Sequence, residues 1–127
     1  MEQVQVDGGT LESWTPVEVC RARDARRIVL IDVRSAQEYM FESIESALLM
    51  PLSAFDANAL PTQDGKRIVF HCGSGKRSEK VARDALAAGI DPAAHMAGGM
   101  AAWKEAGLPY LTAGMATRAP NKVPREG

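Results

Sequence analysis

The apolar run Ile68-Val69-Phe70 empties into His71-Cys72-Gly73-Ser74-Gly75-Lys76-Arg77, and from Ser78 onward Val81, Ala82, Ala85, Leu86 and Ala88 recur at helical spacing. This predicts a strand, a tight loop of small residues and a helix, the latter stopped in a left-handed turn at Gly89. Gly73, Ser74 and Gly75 let successive backbone amides turn toward one point, which makes an anion-binding nest. The helix that follows adds the positive end of its dipole to the same point.

Cys72 begins that loop. A free thiol with a pKa of about 8.5 is only a few per cent ionised at pH 7, but one facing inward amides, a helix end and the cations Lys76 and Arg77 ionises more readily. The thiolate is the nucleophile. A lone cysteine at the end of a buried strand is ordinarily a small packing residue; here the flanking loop favours chemistry. That reading requires the neighbouring amides to face the sulfur and the sulfur to be within reach of solvent.

The 127 residues fit one domain, large enough for a core without disulfides. A net charge of −1 gives no electrostatic argument for nucleic acid or an anionic membrane as partner, so any attraction for anions must be local to the loop. Met1-Glu2-Gln3-Val4-Gln5-Val6-Asp7 lacks the basic and apolar regions of a leader, and no later run reaches the length of a membrane helix, so the expected location is the cytoplasm. In a reducing compartment Cys20 and Cys72 stay unpaired, and Cys20 is expected as a packing residue on a helix. No cofactor is implied. A metal site built from His71, Cys72, His95 and Cys20 lacks ligand spacing, so no metal is expected.

Two capping boxes mark helix starts: Thr15-Pro16-Val17-Glu18, running to about Ala25, and Ser35-Ala36-Gln37-Glu38, running to about Phe41. Between them Ile28-Val29-Leu30-Ile31 reads as a strand covered on both faces, ending in Asp32-Val33-Arg34 at the carboxyl edge where open α/β sheets bind ligands. Ala47-Leu48-Leu49-Met50 is a short strand stopped by Pro51, and Leu52 to Phe55 a helical turn. Residues 93–96 form a further strand. Gly98-Gly99 then allows a helix bearing Met100 and Trp103 to approach the sheet closely, with Trp103 in the core. Alternating strands and helices imply an α/β fold with a parallel sheet. His71 precedes the nucleophile, so alternation turns its side chain away from Cys72 and makes it a packing residue. Residues 112–127, with no apolar period, read as a tail or linker after a domain spanning 1–111.

Three motifs in this order, Ile31-Asp32-Val33-Arg34, Cys72-Gly73-Ser74-Gly75-Lys76-Arg77 in the form C-x-x-G-x-R, and Ala97-Gly98-Gly99-Met100-Ala101-Ala102-Trp103, resemble the single-domain, thiosulfate sulfurtransferase-like rhodanese family. The resemblance spans about residues 10–110. It implies a three-layer α/β fold, with helices on both faces of a mostly parallel central sheet. It also implies sulfur transfer through a Cys72 persulfide, with Gly73, Ser74, Gly75, Lys76 and Arg77 as the substrate-binding loop and Asp32 and Arg34 in support. The partners implied are a small sulfur donor, such as thiosulfate, glutathione persulfide or polysulfide, and a thiol, sulfite or cyanide acceptor, with a protein acceptor also admissible. For Arg77 the resemblance favours a structural ion pair that pins the loop, and Asp32 is the expected partner; Lys76 is left to face the donor.

The sequence departs from the family between Tyr39 and Pro51, where Glu42-Ser43-Ile44-Glu45-Ser46-Ala47 replaces a common Gly-His-Ile-x-Gly-Ala pattern. The exchange puts the local turn in question and is expected to recharge one wall of the mouth through Glu42 and Glu45. Two other readings stay open. A C-x5-R phosphatase shares the nest, the thiolate and the arginine, but here Arg77 follows Cys72 after four residues and Ser78 takes the phosphatase position. A non-catalytic binding or regulatory module could keep the same fold.

Overall fold

The computed structural model describes residues 1–113 and the backbone of 120–122. Among these residues six strands form one sheet in the order β1 (Glu2–Val6), β2 (Gly9–Trp14), β7 (Ala93–Met96), β6 (Arg67–His71), β3 (Ile28–Asp32) and β5 (Leu48–Leu49). Only the β1–β2 hairpin is antiparallel. That hairpin has no counterpart in the sequence reading: most of β1 is exposed, so it carries too little apolar signal to stand out. A second small sheet joins β4 (Glu42–Ser43), β8 (Leu111–Ala113) and β9 (Pro120–Lys122). The segment 112–127, expected as a tail or linker, therefore begins within a strand, while residues 114–119 and 123–127 lie outside the described residues.

Helices α1 (Pro16–Asp24) and α2 (Ala36–Phe41) start where the capping boxes put them; in each, the cap hydroxyl accepts from the amide of the N3 glutamate, whose carboxylate accepts from the cap amide. Helix α3 (Lys76–Ala87) follows the Cys72 loop and α4 (Gly99–Glu105) follows β7. Period-two alternation sorts the sheet residues into two cores. Leu30, Val69, Ala94 and Met96 pack with Val19 and Cys20 of α1 and Met100 and Trp103 of α4. On the other face Ile31, Ile68, Phe70 and Ala93 pack with Val81, Ala82, Ala85 and Leu86 of α3. Trp103 is fully buried and its indole donates to the Pro109 carbonyl at 2.9 Å, satisfying its polar atom inside the core. The result is a three-layer α/β fold with a mostly parallel sheet. No helix among the described residues is long and apolar enough to cross a membrane.

Candidate active site

Cys72 continues the phase of Ile68 and Phe70, so its side chain leaves β6 toward α3. Its sulfur sits at the start of that helix, accepting from the amide of Gly75 at 3.0 Å and of Ser78 at 3.4 Å, with the Ser78 hydroxyl 3.6 Å away. Burial alone would raise the thiol's pKa; the hydroxyl of Ser78 and the amides of Ser78, Gly75 and Ser74 outweigh it, so the thiol ionises below its ordinary value. Of the nest residues expected from the sequence, Ser74 and Gly75 turn their amides to the sulfur, and Ser78, beyond the loop, adds a third.

Two features of the backbone aim them there. Gly75 caps α3 in the left-handed region at φ 103°, open to glycine without strain. From the far side the first turn of α4 grips the loop: Met100 N–H donates to the Cys72 carbonyl at 2.7 Å and Ala101 N–H to the Gly73 carbonyl at 3.1 Å. In a trans peptide the carbonyl and the amide point in opposite directions, so anchoring these two carbonyls turns the Gly73 and Ser74 amides away from α4. The close approach needs Gly99, where an added Cβ would stand 2.4 Å from the Cys72 carbonyl oxygen.

Arg77 pins the loop, but not to Asp32. Its guanidinium meets Glu38 fork to fork, Nη1 to Oε1 at 2.8 Å and Nη2 to Oε2 at 3.0 Å. Asp32 lies in phase with Leu30 and opposite His71 in the parallel register, so its carboxylate leaves the sheet on the face away from Cys72. There it is buried and already taken by Arg34, whose Nε lies 3.0 Å from both carboxylate oxygens and whose Nη2 lies 2.8 Å from one. Arg34 also donates to the Glu42 carbonyl at 2.7 Å. The pair braces the strand end behind the loop and does not touch the sulfur. His71 is buried on the same face, its Nε2 3.5 Å from Asp32 and its pKa lowered by burial, with the Asp32 charge opposing.

Lys76 and Ser74 are exposed at the loop tip. Cys72 itself is 0% exposed, so the expectation of a sulfur open to solvent is not met in this conformation. A recess of about 320 Å³ on the Arg77 side is lined by Val33, Arg34, Ser35, Pro51, Leu52 and Ser53. One of about 290 Å³ on the other side holds Ser13, Lys76, Glu79 and His95. Neither includes Glu42 or Glu45, which corrects the expectation that these recharge the mouth. Glu42 pairs with Lys104 at 2.9 Å, and Glu45 borders a separate groove with Arg23 and Ile28.

Sequence reasoning missed three residues here. Glu38 was read only as a capping residue, although its carboxylate serves the Ser35 amide and Arg77 together. Ser78 and His95 were not connected to the sulfur, yet the Ser78 hydroxyl, fully buried, lies 3.0 Å from His95 Nδ1. Extending the helical phase of Val81, Ala82 and Ala85 back by one turn would have placed Ser78 on the buried face.

Residues 15–106 match the rhodanese-like domain family. An uncharacterised protein of Synechocystis sp. is 36% identical over 96 residues, 76% of this chain and 54% of its own length, so the chain spans about half of that relative. A sulfurtransferase of Allochromatium vinosum is 27% identical over 72% of this chain and 85% of its own. Among solved structures, a thiosulfate sulfurtransferase from Pseudomonas aeruginosa superposes with a TM-score of 0.68 at 28% identity, over 79% of this chain and 20% of that one. A protein of unknown function from Rhodopseudomonas palustris, titled a possible tyrosine phosphatase, gives 0.68 at 27% identity over 78% and 83%. With the family's motif match running from the first helix cap to the end of α4, and the C-x-x-G-x-R loop closed around Cys72, this chain belongs to the rhodanese-like domain family.

Proposed function

We propose that this domain moves sulfane sulfur from a small anionic donor to a thiophilic acceptor through a persulfide on Cys72. The thiolate attacks the outer sulfur of the donor; the donor's S–S bond breaks and its electron pair leaves with sulfite or a thiolate, while a new S–S bond forms on Cys72. The acceptor, a thiol, sulfite or cyanide, then attacks the outer sulfur and expels the Cys72 thiolate. Thiosulfate, glutathione persulfide and polysulfide fit the small loop as donors, and a protein thiol fits as a further acceptor. A Cys72 that cycles between thiolate and persulfide suits a reducing compartment such as the cytoplasm.

The observation that carries this reading is the sulfur itself, held by the amides of Gly75 and Ser78 where negative charge would sit in both the thiolate and the persulfide. Lys76 is exposed and has no ion pair among the described residues, which supports a role for it in meeting the donor. Because the sulfur is buried, this reading requires its surroundings to open before donor enters. Against phosphate chemistry stand the six-residue loop and an Arg77 already engaged by Glu38.

Intact mass after incubation with each donor tests the proposal: one added sulfur, absent in Cys72→Ser and released by cyanide, is expected. Hydrolysis of an aryl phosphate without sulfur uptake would overturn it in favour of a phosphatase. Neither activity, in a folded chain, would leave a binding module.

A further inference from the structure

Behind Cys72 runs a line of polar groups that the sulfur-transfer step does not use. From the sulfur it is 3.6 Å to the Ser78 hydroxyl, then 3.0 Å to His95 Nδ1, and from the opposite ring nitrogen 3.3 Å to the Ser13 hydroxyl. Ser78 and His95 are buried, 0% and 4% exposed, whereas Ser13 and His95 border the recess beside Lys76, on the side of the loop away from Arg77. The line thus joins a sealed sulfur to a solvent-facing pocket. Elements on both sides fix its geometry: His95 lies opposite Ser13 across β2–β7 and opposite Phe70 across β6–β7, and Ser78 stands on the first turn of α3.

We infer that His95 is a positioning residue for Cys72: acting through Ser78, its imidazole changes tautomer as the sulfur ionises and passes the departing proton toward Ser13 and the recess. This rests on Cys72 being the reacting atom. The Ser78 hydroxyl has one proton and three neighbours: the sulfur, His95 Nδ1, and the Gly75 carbonyl at 3.2 Å. With Cys72 a thiol, S–H points at Ser78, Ser78 donates to Nδ1, and the ring carries its proton on Nε2, donating to Ser13. On ionisation the thiol proton moves to the Ser78 oxygen, the Ser78 proton moves to Nδ1, and the Nε2 proton moves to the Ser13 hydroxyl, whose own proton leaves to water. Ser78 now donates to the thiolate, and the Nδ1–H donated to Ser78 keeps that hydroxyl from turning to Gly75. One proton leaves the sulfur, one reaches solvent, and the imidazole is neutral before and after.

The surroundings suit a neutral ring. Burial holds the His95 pKa below its ordinary value; the negative charge of Glu79 opposes this and the positive charge of Arg83 adds to it. Those two residues of α3 pair with each other at 3.2 Å, and Lys76 is the other charged group of α3 at the recess. From β2 the facing group is the uncharged Ser13, since Glu12 is engaged with Trp14 and Arg67.

The test follows the ring nitrogens of His95 by nitrogen-15 NMR in the full chain across pH, with His95→Phe to assign them, beside the rate at which iodoacetamide alkylates Cys72, read on its own peptide. The two nitrogens are expected to exchange protonated and bare character with the same midpoint as Cys72. Ser78→Ala and His95→Phe are each expected to slow alkylation about tenfold at neutral pH, one pH unit of midpoint, while matching the wild type at high pH where every variant is thiolate. A ring that keeps one tautomer through the Cys72 titration, or a His95→Phe profile identical to wild type, overturns the inference. Should a variant fail to fold, the wild-type NMR titration decides alone. Coupling without sulfur uptake would reject the proposed function and keep this inference; sulfur uptake with an uncoupled ring would do the reverse.

Discussion

Arg77 and Glu38 meet through two parallel hydrogen bonds of 2.8 and 3.0 Å, tying the end of the nucleophile loop to the first turn of α2. The carboxylate also accepts from the Ser35 amide at 3.0 Å, so one side chain caps a helix and anchors a loop 39 residues away. Gly73 belongs to the same arrangement, because a Cβ there would stand 3.2 Å from the Arg77 guanidinium. The arginine of the C-x-x-G-x-R motif is, in this chain, a fastening for the loop.

Glu38→Gln isolates that fastening, since glutamine still completes a capping box. Both partners are about 40% exposed, so solvent screening limits the loss of stability to about 1 kcal/mol or less. The rate of sulfur uptake should fall by more than the melting temperature suggests, because the loop and not the core is released. Melting curves and persulfide formation measured on the same preparation check this.

The same pair sets an acid limit. Hydrogen bonding to Arg77, partly opposed by burial, holds the Glu38 carboxyl at about 2, below its ordinary 4.5. A folded-state pKa below the unfolded one means that the contribution is complete above about pH 4.5 and fades as pH falls toward 2. Wild type should lose stability across that window more steeply than Glu38→Gln, and the two denaturation profiles should converge at its acid end.

The strand, loop and helix around Cys72 were legible because each is encoded locally: an apolar run, small residues, a 3.6-residue period. The capping boxes at Thr15 and Ser35 were legible for the same reason. What failed needed knowledge of neighbours. Asp32 and Arg77 are both charged residues at strand or loop ends, but whether Asp32 shares a face with Cys72 depends on the register that sets Ile31 beside Phe70, and no single strand states its phase relative to another. Likewise Ser78 meets His95 only because β7 lies next to β6. The departure at 42–46 was visible, and the structure shows what it entails: Ser46 stands at φ 76° where the family pattern has glycine.

Ser46→Gly should therefore stabilise the chain. A left-handed residue with a Cβ costs about 1–2 kcal/mol, and the extra freedom of glycine in the unfolded chain returns about 0.5–1, leaving a gain of about 0.5–1 kcal/mol. Chemical denaturation should show a higher midpoint with an unchanged slope; a lower midpoint would mean that the Ser46 side chain makes up for its backbone.

Asp32→Asn separates the support behind the loop from the chemistry in front of it. Asp32 and Arg34 are buried at 0% and 4%, and removing one charge leaves the other without its partner, a loss of about 3–5 kcal/mol. The guanidinium would keep the Glu42 carbonyl, which softens but does not replace the lost contacts. Because the carboxylate leaves the sheet on the face away from the sulfur, the Cys72 alkylation midpoint should stay where it is as long as the chain is folded. A large fall in melting temperature with an unmoved midpoint is the expected pair of results; a midpoint that shifts with the mutation would mean that Asp32 acts on the sulfur across the sheet.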